Sequence, residues 1–197
     1  MNTDTGNNMG FPSYKDINIS VAMMETNRES WQRPDIHSRL ITSPDMTVVD
    51  LGAGTGYFTD LFSKHIPEGK IFALEPEPTL ISWLKDRKKK DSLDNVSIHQ
   101  IEEENPGLDK LNTEIDLLFV GYTYFHFSGP VKYFRDKVCP FIQEKTVVAI
   151  ADLGLENPGR HVVPAQQVIA EMAEAGFKLV GGPTILYEQY LLSFKKD

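Results

Sequence analysis

The stretch Val48-Val49-Asp50-Leu51-Gly52-Ala53-Gly54-Thr55-Gly56-Tyr57-Phe58 decides how this chain folds. An apolar run ends in an acid, three glycines alternate with small residues, and a helical apolar pattern begins. That order describes a buried strand turning sharply into a helix, with bare main chain at the turn. Glycine admits positive φ and carries no Cβ to hold a ligand away from the backbone. In open α/β sheets ligands bind at the carboxyl ends of strands, which is where this turn falls.

The spacing separates the possible ligands. A dinucleotide turn reads G-x-G-x-x-G. Aligned on Gly52 and Gly54, its third glycine would fall at Tyr57. The third glycine comes one residue early instead, and Asp50 stands two residues before the first. The turn also lacks the G-K-[ST] ending of a nucleoside triphosphate loop.

Outward from the turn, strand and helix signals alternate. Strands are expected at 47–51, 70–74, 95–101, 115–120 and 146–151, with helices after the first, second and fourth. A further amphipathic helix follows Pro164, carries Val168, Ile169, Met172 and Ala175, and closes at Gly176. Two last strands, 177–180 and 190–194, flank a loop containing Gly181-Gly182-Pro183. Such alternation predicts a doubly wound α/β fold, a mostly parallel sheet with helices on both faces. Residues 1–15 read as a flexible tail and 16–197 as one domain, with 16–44 as an N-terminal helical cap.

Composition narrows the function. The 197 residues suit one α/β domain, and 41% hydrophobic and 24% charged residues are ordinary for a globular protein. A formal net charge of −8 speaks against a nucleic-acid surface, which needs clustered Lys and Arg. The run Arg87-Lys88-Lys89-Lys90, between Asp86 and Asp91, fits a solvated face at a helix end, where cations complement the dipole. One cysteine, Cys139, excludes a disulfide framework and a multi-thiolate metal site, and no metal is expected. The polar N-terminus has no signal core, so a cytoplasmic protein without membrane contact is the expectation.

The pattern Asp-x-Gly-x-Gly-x-Gly at 50–56 resembles motif I of the class I S-adenosylmethionine (SAM) dependent methyltransferases. The resemblance runs from about Arg28 onward and is nearest to compact bacterial members of the ubiquinone/menaquinone-biosynthesis type. Shared segments are Trp31-Gln32-Arg33-Pro34, Asn105-Pro106-Gly107-Leu108, Tyr124-Phe125-His126, His161-Val162-Val163-Pro164 and Ala175-Gly176-Phe177. Two segments depart from that group: Phe125-His126 replaces a pair of histidines, and Cys139-Pro140-Phe141-Ile142 replaces a Lys-Pro-Gly-Gly turn. The implied fold is a seven-stranded Rossmann-like sheet whose final strand runs antiparallel. The implied cofactor is SAM, leaving as S-adenosylhomocysteine (SAH).

Cofactor contacts are accordingly expected from Asp50, Gly52, Ala53, Gly54, Gly56 and Tyr122. Glu75, 19 residues past Gly56 at the end of the second strand, is placed to accept ribose hydroxyls. The resemblance puts Pro76 against the adenine and Glu102 at its amino group.

On the acceptor side, methyl transfer chiefly requires that the nucleophile be aligned, which alone contributes up to roughly 7–11 kcal/mol. A base is needed only where the acceptor must lose a proton. His126 and His161 are the candidates, because an imidazole of reference pKa about 6.5 is largely basic at neutral pH. Trp31, Tyr57, Tyr124 and Phe127 are expected around the acceptor. An aromatic pocket suits a small apolar or aromatic metabolite, with O-, N- or C-methylation open. Arsenite methylation needs several cysteines and is excluded. A non-catalytic SAM-binding sensor or partner subunit remains the alternative, ahead of a dinucleotide oxidoreductase. Monomer and homodimer are both open.

Overall fold

The computed structural model describes residues 21–22, 24–25, 35–153, 162–186 and 189–197. Trp31, His161 and the expected tail at 1–15 lie outside the described residues.

Seven strands form one sheet: β1 (Thr47–Leu51), β2 (Lys70–Glu75), β3 (Val96–Gln100), β4 (Leu117–Gly121), β5 (Val147–Leu153), β6 (Phe177–Leu186) and β7 (Gln189–Lys196). Their spatial order is β3-β2-β1-β4-β5-β7-β6. Strands β1 to β5 pair in parallel, while β7 runs antiparallel to both β5 and β6. From β1 the chain steps outward to β2 and β3, then returns to add β4 on the other side of β1. The strand order therefore reverses between β1 and β4. A crevice opens at such a switch point, and the glycine turn sits on it.

Apolar layers cover both faces. On one lie Val48, Phe58, Phe62, Leu117 and Phe119; on the other Val49, Leu118, Phe134, Val148 and Phe194. This is why β1 and β4 read as continuous apolar runs: a parallel strand buried on both faces has no solvent side. Helix α1 (Asp35–Leu40) precedes the sheet. Helix α2 (Tyr57–His65) follows β1 and buries Phe58, Thr59, Phe62 and Ser63. Helix α3 (Pro78–Asp91) begins with Pro78 in its first turn, where a missing N–H costs nothing, and Glu77 accepts the Thr79 N–H at 3.1 Å. Lys88, Lys89 and Lys90 fill its last turn, but Arg87, expected on the same solvated face, is buried and pairs with Glu25. Helix α4 (Pro130–Tyr133) runs into a π-helical turn, Phe134–Val138. Helix α5 (Ala165–Glu174) buries Val168 and Met172 and stops before Gly176, whose φ is +90°.

The loop expected at Gly181-Gly182-Pro183 is instead the middle of β6, which passes through it with two register shifts. A Cβ on Gly182 would stand 2.4 Å from the Leu191 carbonyl oxygen, so the glycine permits close strand approach rather than a turn. Because β6 is an edge strand, a proline without an N–H is tolerated there.

Candidate active site

The glycine turn is built by its strand neighbour. The Gly52 and Ala53 N–H groups both donate to the Leu74 carbonyl, at 2.9 and 3.1 Å, and the Gly56 N–H closes the turn onto Ala53 O at 2.9 Å. Gly52, Gly54 and Gly56 all have positive φ, of 79°, 56° and 85°. Their bare faces serve different ends. A Cβ on Gly52 would lie 2.4 Å from Thr123 Cγ2, and one on Gly56 2.7 Å from Leu84 Cδ2. Gly56 is thus a helix-packing glycine at the start of α2 and does not line the crevice, whereas Gly52 and Gly54 do.

The crevice is walled by the ends of β1, β2 and β4 and the segments that follow them. Asp50, Gly52, Ala53, Gly54, Glu75, Pro76, Tyr122, Tyr57, Phe127 and His126, all expected from the sequence, line it together. So do Met24, Leu80, Ile101, Glu103, Thr123 and Tyr133, which the sequence reading passed over.

Glu75 is the hinge of this arrangement. It is 3% exposed; its Oε2 accepts the Gly54 N–H at 2.8 Å and its Oε1 the Glu77 N–H at 3.0 Å. Burial pushes its carboxyl up from 4.5 to about 7, against the pull of those two N–H groups. Asp50, 2% exposed, accepts the Thr59 hydroxyl at 2.6 Å and is raised by burial from 3.8 to about 6. A carboxylate has about four lone-pair sites, so Glu75 keeps room for two further donors on the crevice side.

Beyond β4 the chain turns tightly. Tyr122 has φ +53°, rare outside glycine, and its N–H donates to Ala151 O at 2.8 Å. Its ring stacks on Phe58 with centroids 6.0 Å apart. The Thr123 hydroxyl reaches Gly121 O at 3.0 Å and Gly52 O at 3.3 Å, joining the β4 and β1 turns. His126 follows in a short 3-10 turn, its N–H on Thr123 O at 3.0 Å.

Two expected site residues are placed elsewhere. Tyr124 was assigned to the acceptor, but it is 2% exposed in the core and its hydroxyl donates to Glu171 at 2.8 Å. The 3-10 turn points its ring inward, where it stacks on Phe134 at 5.8 Å. Glu102, assigned to the adenine, borders a separate hollow with His99 and Lys110, and Glu103 takes the crevice wall. The bridge between Glu102 and Asn105, closed by the Asn105 N–H on Glu102 O at 3.1 Å, sets that turn.

One buried acid has no place in the sequence reading. Asp152, at the end of β5, is 1% exposed, accepts the Leu153 N–H at 2.8 Å, and is raised by burial from 3.8 to about 7. Its Oδ2 has no hydrogen-bond partner among the described residues.

Asp50, Glu75 and Glu103 line the crevice with no Lys or Arg among the described residues that wall it, so its field favours a cationic ligand. Bare glycine backbone, a doubly held carboxylate and apolar walls from Pro76, Leu80 and Ile101 suit a cationic nucleoside, and SAM fits that description.

Comparison with known proteins agrees with the geometry. Residues 42–185 match the family model described as a methyltransferase domain. A SAM-dependent methyltransferase from Aquifex aeolicus superposes with a TM-score of 0.79 at 17% identity, covering 91% of this chain and 98% of that one. The mitomycin 7-O-methyltransferase MmcR gives 0.76 at 12% identity over 94% of this chain and 59% of its own. The glycopeptide N-methyltransferase MtfA, solved with SAM, gives 0.67 at 14% identity, over 83% of this chain and 92% of its own. A curated relative from Methanocaldococcus jannaschii, a tRNA(Phe) (4-demethylwyosine(37)-C(7)) aminocarboxypropyltransferase, is 28% identical over 122 residues. That match covers 60% of this chain and 46% of the relative, so the chain spans about half of that protein's length. With its model matched from before β1 into β6, the chain belongs to the methyltransferase-domain family and has the Rossmann-like fold of the SAM-dependent methyltransferases.

Proposed function

We propose that the crevice binds SAM and that the protein transfers its methyl group to a small, apolar or aromatic metabolite. The observation that carries this reading is the wall itself: three carboxylates and, among the described residues, no Lys or Arg, around Gly52 and Gly54 at the switch point. Bound there, SAM supplies an electrophilic methyl on a positive sulfur.

The chain's own residues do the rest. Glu75 accepts hydroxyl donors with its remaining lone pairs, and Pro76, Leu80 and Ile101 give a ring an apolar berth. Asp50 lends negative charge behind the turn. His126, on the wall past β4, takes the proton of an acceptor that must lose one. Tyr57, Tyr122, Phe127 and Tyr133 make the acceptor end aromatic, which favours a small ring over a polymer.

The curated relative's name concerns tRNA(Phe), but a net charge of −8 and a wall whose described residues include no Lys or Arg support a small acceptor here. We also infer kinship with the ubiquinone/menaquinone type, one domain at 16–197 and a cytoplasmic setting. No described helix is long and apolar enough to cross a membrane.

Calorimetry with SAM, SAH and NAD tests the cofactor. Binding of NAD in preference to SAH would end this reading. Incubation with SAM and small phenols, amines or tRNA, followed by mass spectrometry, tests the acceptor. A methylated small molecule supports the enzyme; binding with no product anywhere in the panel favours the sensor.

A further inference from the structure

Two of the three glycines in the turn are covered by a single unit that comes from outside the sheet. Met24 Sδ lies 3.3 Å from where a Gly54 Cβ would stand, and Arg87 Cδ lies 3.3 Å from the corresponding point on Gly56. Glu25, next to Met24 on a helical stretch, joins the two covers. Arg87 Nη2 donates to both Glu25 oxygens, each at 2.9 Å. The Arg87 side chain is 8% exposed and that of Glu25 29%.

The pair is built to hold. Arg87 is buried beside the start of α2, and its Nη1 has no partner among the described residues. Among the described residues Glu25 is the carboxylate that it pairs with there. Withdrawing Glu25 would leave a nearly dry guanidinium uncompensated, the costly half of a broken ion pair. A planar guanidinium also fixes direction, whereas an ammonium would act only as a point charge. Met24 itself lines the crevice where the Gly54 N–H bonds to Glu75.

We propose that the Glu25–Arg87 pair is a positioning device for the cofactor, keeping Met24 against Gly54 and so setting how fast the cofactor leaves. Met24 is the contacting residue; Glu25 and Arg87 act through it. The inference rests on the crevice being the SAM site.

The test uses the full chain and SAH, with dissociation followed by surface plasmon resonance. Glu25→Gln, which keeps shape and removes charge, and Met24→Ala should each speed SAH dissociation at least about tenfold while changing association far less. Because both act on one contact, the double variant should dissociate no faster than about twice the quicker single variant. Arg87→Lys should fall between wild type and Glu25→Gln. Glu25→Gln strands a buried charge, so its unliganded melting temperature should fall by more than the ~2–4 °C that a 1 kcal/mol loss produces in a domain of this size, whereas Met24→Ala, which keeps the ion pair, should stay within about 2 °C of wild type. Dissociation of Glu25→Gln within about twofold of wild type, or multiplicative effects of the two single changes, would overturn the proposal. Failure of the unaltered protein to bind SAH would instead remove the cofactor reading, and this inference with it.

Discussion

The Gly54 N–H donates to Glu75 Oε2 at 2.8 Å, tying the turn after β1 to the end of β2 across the crevice. One carboxylate therefore both shapes the glycine turn and faces the ligand. Glu75→Ala should weaken SAM binding at least about tenfold, since hydrogen bonds to charged groups contribute about 1.5–3 kcal/mol. Asp50→Ala should weaken it similarly. Unchanged affinity in both variants by calorimetry, with native circular dichroism, would refute the assigned site.

The buried acids give the protein two opposed pH responses. Burial holds Asp50 at about 6, Glu75 at about 7 and Asp152 at about 7, above ordinary values of 3.8 and 4.5. A carboxyl raised in the folded state adds stability that is full below its unfolded pKa and lost as pH climbs through the folded one. The unliganded protein should therefore melt at lower temperature near pH 8 than near pH 5. Binding of a cation beside Asp50 and Glu75 favours their ionised forms, so SAM affinity should rise over that same interval. Thermal-shift curves with and without SAM at both pH values check the two signs independently.

Tyr124 and Glu171 join the β4 loop to α5 through a 2.8 Å hydrogen bond. Tyr124→Phe should lower stability by about 0.5–3 kcal/mol in urea titration and leave SAM affinity within about twofold. A selective loss of affinity without a stability change would return Tyr124 to the crevice.

His126 lines the crevice past β4, where the proposed acceptor would lie, so His126→Ala should reduce turnover of an acceptor that loses a proton more than it changes SAM affinity. Steady-state rates over a pH series would show it. A variant that matches wild type at every pH would remove His126 as the base.

Much of this was legible in the chain. The bounds of β1 are legible because an apolar run buried on both faces meets the glycine turn at Gly52. The wall was read to the extent that chemistry sits next to structure: Gly52, Gly54 and Glu75 occupy strand ends fixed by period and punctuation. Misreadings arose where geometry depends on partners remote in sequence. Gly181-Gly182-Pro183 looks like a turn until Leu191 lies against it. Which of Glu102 and Glu103 faces the crevice hangs on a bridge to Asn105. Glu25 and Arg87 stand 62 residues apart, and no local pattern announces them.

Gly52 and Thr123 interlock, with no room for a methyl group between them. The segment proposed to meet the acceptor is thereby keyed to the one proposed to meet the cofactor. Transplanting the post-β4 segment from another methyltransferase to change what this protein modifies should succeed only where the graft carries a side chain no bulkier than threonine at that position. Any change of acceptor in this scaffold is therefore constrained by the glycine turn after β1.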